Sequence, residues 1–138
     1  MTESDWTRLA EEYTRRGFPQ NDWIYGYQPV VELLGDIRGK RILDYGCGSG
    51  KFSRVLAEKG AAVVAVDPTE NMLVLARTQN CQRINYQRIV DNDISFVDAI
   101  NDAVATYVLC GRANDQEVRN IIKNVYGKLH VGGSFDKV

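Results

Sequence analysis

The chain has 138 residues and 15.5 kDa, with 44% hydrophobic and 25% charged residues; that is one ordinary globular domain, and no apolar run reaches the roughly 18 residues that cross a bilayer. Its 17 Lys+Arg against 18 Asp+Glu leave a net charge of -1, with basic residues scattered from Arg8 to Lys137, which excludes binding to a nucleic-acid backbone by bulk charge. Three cysteines (Cys47, Cys81, Cys110) with no CxxC pair exclude a disulfide framework or a zinc site, and the opening MTESDWTRLAEEYTRR has no continuous apolar segment of the secretory kind, so a cytoplasmic protein is expected.

Trp6, Leu9, Ala10 and Tyr13 recur at helical spacing until Gly17 and Pro19, which predicts an amphipathic helix over 3–16. Trp23, Tyr25 and Tyr27 follow, either as an aromatic wall beside a substrate or as packing for the N-terminal segment. A second helix starts near Pro29 and ends about Gly35. Arg41 to Tyr45 (RILDY) reads as a buried strand running into GCGSG. Phe52, Val55 and Leu56 mark a helix closing at Gly60, and Ala61 to Val66 (AAVVAV) reads as a strand covered on both faces. Thr69 is placed to cap the helix carrying Met72, Leu73, Leu75 and Ala76. Ile84 to Val90 and Ala103 to Leu109 are the third and fourth strands, and residues 91–102 are ambiguous. Val118, Ile121, Ile122, Val125 and Leu129 share a stripe behind an Asn114/Glu117 capping box, predicting a helix over 115–130 that Gly132-Gly133 ends. Strands alternating with helices predict an α/β fold: a doubly wound, mostly parallel Rossmann-like sheet with helices on both faces.

In such a sheet, ligands bind beyond the carboxyl ends of the strands, and the turn after the first strand holds Gly46, Cys47, Gly48, Ser49 and Gly50. A phosphate-binding GxxxxGK[ST] loop would need glycine where Tyr45 stands and a hydroxyl where Phe52 stands, and a dinucleotide GxGxxG would need glycine in place of Lys51. The loop runs GxGxG instead. Asp67 lies 21 residues past Gly46 at the end of the second strand, where a carboxylate can accept both ribose hydroxyls of an adenosine ligand. The only histidine, His130, is expected at the end of the last helix, favourable for the helix dipole. Cys47 reads as a small packed side chain.

Together these segments resemble the class I S-adenosylmethionine-dependent methyltransferases of the small-molecule type. The match runs through Leu43-Asp44-Tyr45-Gly46-Cys47-Gly48-Ser49-Gly50, Ala65-Val66-Asp67-Pro68, Asn71-Met72, Asn101-Asp102-Ala103-Val104 and Leu129-His130-Val131-Gly132-Gly133, in the family's order. The resemblance implies one domain over 1–138, with a cap over 1–28 and a cofactor-binding core over 29–138. It implies methyl transfer from S-adenosyl-L-methionine to a small-molecule acceptor by direct displacement. It places Gly46, Cys47, Gly48 and Gly50 against the methionine part of the cofactor, Asp44 at its ammonium, Asp67 at the ribose and Pro68 with Met72 beside the adenine. Asp91 and Asn92 go to the adenine edge, and Tyr13 with Tyr107 offer aromatic faces to the sulfonium. No catalytic residue and no metal is assigned.

The family's sheet continues past the Gly-Gly turn, whereas Ser134 to Val138 leave room for a short edge strand, so a C-terminally truncated form or completion by a partner, including a second copy, is expected. The alternative reading is a non-catalytic binding or interaction module completed by a partner chain. Residues Tyr13 to Tyr27 are expected as a lid over the methyl-donating end, opposite Thr106 and Tyr107.

Overall fold

The computed structural model describes residues 27–79, 83–105 and 114–137, the stretch 130–137 as backbone. The predicted helix over 3–16, Tyr13, Trp23, Tyr25, Cys81, Thr106, Tyr107 and Cys110 lie outside the described residues. In chain order the elements are α1 (Gln28–Leu34), β1 (Arg41–Tyr45), α2 (Lys51–Glu58), β2 (Ala62–Asp67), α3 (Glu70–Arg77), β3 (Ile84–Arg88), β4 (Ile100–Ala105), α4 (Asp115–Tyr126) and β5 (Leu129–Lys137). The strands form one sheet in the order β3-β2-β1-β4-β5, and every pair is parallel.

The two-residue period of a strand divides the core. Ile42, Val63, Ala65, Tyr86 and Val104 face α1, α2 and α3, whose Val30, Leu34, Phe52, Leu56, Leu73 and Ala76 are buried against them. Leu43, Tyr45, Val66, Ala103 and Ala105 face the opposite side, covered by Ile121 and Val125 of α4 and by Ile89, Ile94 and Val97 of the β3–β4 connection. Strands buried on both faces explain the near-continuous apolar runs in the sequence. Tyr27 takes the packing role: it is buried on the first face, its ring centroid 4.8 Å from that of Phe52.

Several boundaries differ from expectation. α4 ends at Tyr126, with Gly127 closing it, and Leu129 belongs to β5, paired with Ile100. Leu129 continued the helical stripe by coincidence, because it packs against the same core from a strand. Gly132-Gly133 therefore sits inside a strand, not at a helix end, and His130 is a strand residue, not the end of the last helix. Ile100 pairs with Leu129 and Asp102 with Ser134, so β5 carries extra residues between two pairings and the glycines fall in that irregularity. The final strand is thus nine residues long, more than the short edge expected from 134 onward. β4 begins at Ile100, three residues early, because Asn101 holds the start of β1: its Oδ1 accepts from Arg41 N at 2.8 Å. β3 stops at Arg88, before the turn that reverses the chain. Thr69 stands at the N-cap of α3 without a capping hydrogen bond from its side chain; its own amide donates to Asp67 Oδ1 at 2.9 Å.

Candidate functional site at the carboxyl ends of the strands

From β1 the chain winds outward to β2 and β3, then returns across β1 to β4, so the winding direction reverses between β1 and β4. The loop after β1 opens at this switch point. Gly46 (φ 78°), Gly48 (φ 56°) and Gly50 (φ 83°) all take the left-handed region that side chains disfavour. The amides of Gly46 and Cys47 both donate to Val66 O, at 2.8 and 3.0 Å, which folds the loop back over β2. At Gly50 there is no space for a side chain: a Cβ there would collide with Tyr86 Oη and stand 3.0 Å from Arg54 Nη1. Arg54 Nη1 in turn donates to Ser49 O at 2.9 Å.

Two carboxylates meet under this loop and do different things. Asp67 is buried and used by the backbone: Oδ2 accepts from Gly48 N and Oδ1 from Thr69 N, both at 2.9 Å. It ties the glycine loop to the end of β2. Asp44 shares the face of Ile42 on β1 and meets α2, where Ser53 Oγ donates to its Oδ2 at 2.6 Å. Its Oδ1 is buried with no hydrogen-bond partner among the described residues. Burial, with the negative charge of Asp67 adding to it, pushes the Asp44 carboxyl up to about 6 against an ordinary 3.8, while the Ser53 bond opposes the shift. A buried carboxylate with an unpaired oxygen is costly to a fold unless a donor or a cation completes it.

The remaining expected residues are placed as follows. Met72 is buried on α3, its Sδ 3.9 Å from where a Gly48 Cβ would lie, and Pro68 is half-buried at the end of β2. Cys47 is half-buried and packs on the first-face core; burial and the charges of Asp44 and Asp67 hold its thiol well above the ordinary value, so it stays protonated. Asp91 is exposed, and both Asp91 (φ 53°) and Asn92 (φ 58°) are left-handed without being glycine. The Asn92 side chain is held from β1 and α4: its Oδ1 accepts from Tyr45 Oη at 2.5 Å and its Nδ2 donates to Glu117 Oε1 at 3.2 Å. Asp93, exposed, caps its own turn through Ser95 N at 2.9 Å.

Sequence reading missed Ser53, Tyr45, Tyr86 and Glu117. Ser53 had a usable signal, because a hydroxyl between Phe52 and Leu56 on the inward stripe of α2 needs a buried partner. The others act through contacts distant in sequence. No group of residues arranged to hold a metal occurs among the described residues, and no described helix is long and apolar enough to cross a membrane.

A methyltransferase-domain family matches residues 42–133, a span that starts in β1 and ends in β5. The N-demethylindolmycin N-methyltransferase of Streptomyces griseus is 30% identical over 94% of this chain and 59% of its own length. A ubiquinone biosynthesis O-methyltransferase of Coxiella burnetii is 35% identical over 96% of this chain and 63% of its own. The solved structure of an S-adenosylmethionine-dependent methyltransferase from Mesorhizobium loti superposes with a TM-score of 0.66 at 30% identity, over 78% of this chain and 50% of that one. The chain spans about half to three-fifths of the length of the curated relatives it matches.

Proposed function

The chain belongs to the class I S-adenosylmethionine-dependent methyltransferase family, and from its two unlike carboxylates we propose that it binds S-adenosylmethionine and transfers the methyl group to a small-molecule acceptor. One observation carries the reading: a buried aspartate, Asp44, keeps an unpartnered oxygen beside a glycine loop at the switch point. A ligand ammonium completes Asp44 Oδ1, while Ser53 holds the other oxygen in place. Asp67, tied at both oxygens to backbone amides at the end of β2, is the carboxylate assigned to the ribose hydroxyls. The side-chain-free Gly48 and the neighbouring Met72 let the flat purine and the sulfonium-bearing arm lie close to the main chain.

S-adenosylmethionine, when bound, supplies a methyl group activated by its positive sulfonium. The chain's own contribution is alignment and exclusion of water around a cation, which two adjacent carboxylates favour. Within this reading Asp91 and Asn92 are assigned to the adenine edge, and Tyr13 and Tyr107 are assigned to the cofactor's sulfonium as aromatic faces. The acceptor is a small molecule, the setting cytoplasmic, and the outer edge of β5 is the surface through which a further strand or a second copy would pair. A pure interaction module that binds no cofactor is the weaker reading, since an unpartnered buried carboxylate costs stability and is explained by a cationic ligand.

Calorimetry of the full chain with S-adenosylmethionine and with NAD tests the reading: binding of the first and not the second is expected, and preference for NAD would overturn it. Asp67→Ala is expected to weaken cofactor binding by about 1.5–3 kcal/mol, the loss for hydrogen bonds to a charged acceptor. Unchanged affinity would remove Asp67 from the site.

A further inference from the structure

The strained turn after β3 is held by residues that the cofactor reading does not use. Tyr45, the last residue of β1, is fully buried in the second-face core, and only its hydroxyl reaches a polar group, donating to Asn92 Oδ1 at 2.5 Å. Glu117, in the first turn of α4, accepts from Asn92 Nδ2 at 3.2 Å, and Asn124 Nδ2 reaches the Asn92 carbonyl at 3.5 Å. Two separate elements therefore grip one residue, and that residue and its neighbour Asp91 are the two non-glycine positions with left-handed backbone among the described residues. Non-glycine residues persist in this region when the surroundings over-determine them. The grip also engages the Asn92 side chain, so the exposed carboxylate of Asp91 and the local main chain are the groups left to meet a ligand.

We propose that Tyr45 and Glu117 are positioning residues for purine selection: through Asn92 they fix the left-handed Asp91-Asn92 pair in the one conformation that reads the amino edge of adenine. The proposal rests on the reading that Asp91 and Asn92 lie at that edge. Tyr45 directly precedes Gly46, so the strand that launches the glycine loop also sets the opposite wall of the pocket.

Binding of S-adenosylhomocysteine is compared with that of S-inosylhomocysteine, which carries a carbonyl in place of the 6-amino group. The native chain is expected to prefer the adenosyl ligand by about tenfold or more, the value of one well-made hydrogen bond in a closed site. Tyr45→Phe, which keeps the ring packing, is expected to reduce that preference to about twofold while leaving affinity for the inosyl ligand within about twofold of native. Glu117→Ala is expected to act in the same direction, and Glu117→Gln, whose carbonyl oxygen still accepts from Asn92, to restore the preference. A native chain with no preference would overturn the assignment of Asp91 and Asn92 to adenine. A native preference that survives both Tyr45→Phe and Glu117→Ala, or equal weakening of both ligands, would overturn the positioning role alone. If Tyr45→Phe does not fold, the Glu117 pair decides the matter.

Discussion

Two loops at the same end of the sheet adopt left-handed backbone by opposite means. The loop after β1 places glycine at every such position, Gly46, Gly48 and Gly50, so its shape is written in residue type. The turn after β3 places Asp91 and Asn92 there and holds them by hydrogen bonds from β1 and α4. The first loop's left-handed backbone is permitted by residue type; the second's is held by hydrogen bonds from elements distant in sequence. A pocket walled by both has one side fixed by covalent structure and one side that responds to what packs behind it.

The strongest way to break the contrast is Gly50→Ala. An alanine there must take positive φ and drive its Cβ into Tyr86 Oη, a hydroxyl that is itself buried and pushed up to about 12 by burial. Left-handed strain of roughly 1–2 kcal/mol and overpacking of roughly 1–3 kcal/mol add up to a loss of as much as about 5 kcal/mol. Urea denaturation measures it. A loss below about 1 kcal/mol would show that Tyr86 yields easily and that the glycine loop, too, is adaptable.

Next in size is the pH response of Asp44. Its folded carboxyl titrates near about 6, above the ordinary 3.8, so the native chain binds a proton more tightly than the unfolded chain. Stability of the ligand-free chain from this group is then full below about pH 4 and is lost as pH rises through about 6, a change of about 2–3 kcal/mol. Cofactor affinity moves the other way, rising through pH 6 as the carboxylate forms for the ammonium. Asp44→Asn is expected to flatten the stability slope, to make the ligand-free chain more stable at pH 7 and to weaken cofactor binding. A variant that keeps the native slope would assign it to another group.

The same contrast explains what the sequence made legible. RILDYGCGSG and AAVVAVD read correctly as strand, loop and acidic strand end because buried parallel strands and glycine turns depend on local residue type. Asp67 was placed at the end of the second strand by its spacing, although its backbone ties to Gly48 and Thr69 were not foreseen, since a carboxylate's partners depend on how the loop folds back. The end of α4 misread because Leu129 fits a helical stripe and a strand equally well until Ile100 pairs with it. Residues 91–102 stayed ambiguous for the reason that makes them interesting: Ile94 and Val97 are buried without a regular period, and Asn92 is shaped by Tyr45 and Glu117, 47 and 25 residues away.

The smallest expected effect sharpens the comparison most finely. Asn114 Oδ1 accepts from Glu117 N at 2.9 Å and starts α4, while the Glu117 side chain is directed to Asn92. Asn114→Ala removes the cap and is expected to lower stability by about 1 kcal/mol, the usual value for such a loss. If the turn after β3 depends on α4 for its shape, fraying at Glu117 loosens Asn92 as well, so amide exchange at 91–93 should rise along with that of 115–118. Exchange in the glycine loop, 46–50, should stay as it was, because that loop is tied to β2 through Val66 and Asp67. Equal acceleration in both loops would mean that the two walls of the pocket open together, and the division between a residue-coded wall and a core-coded one would fail.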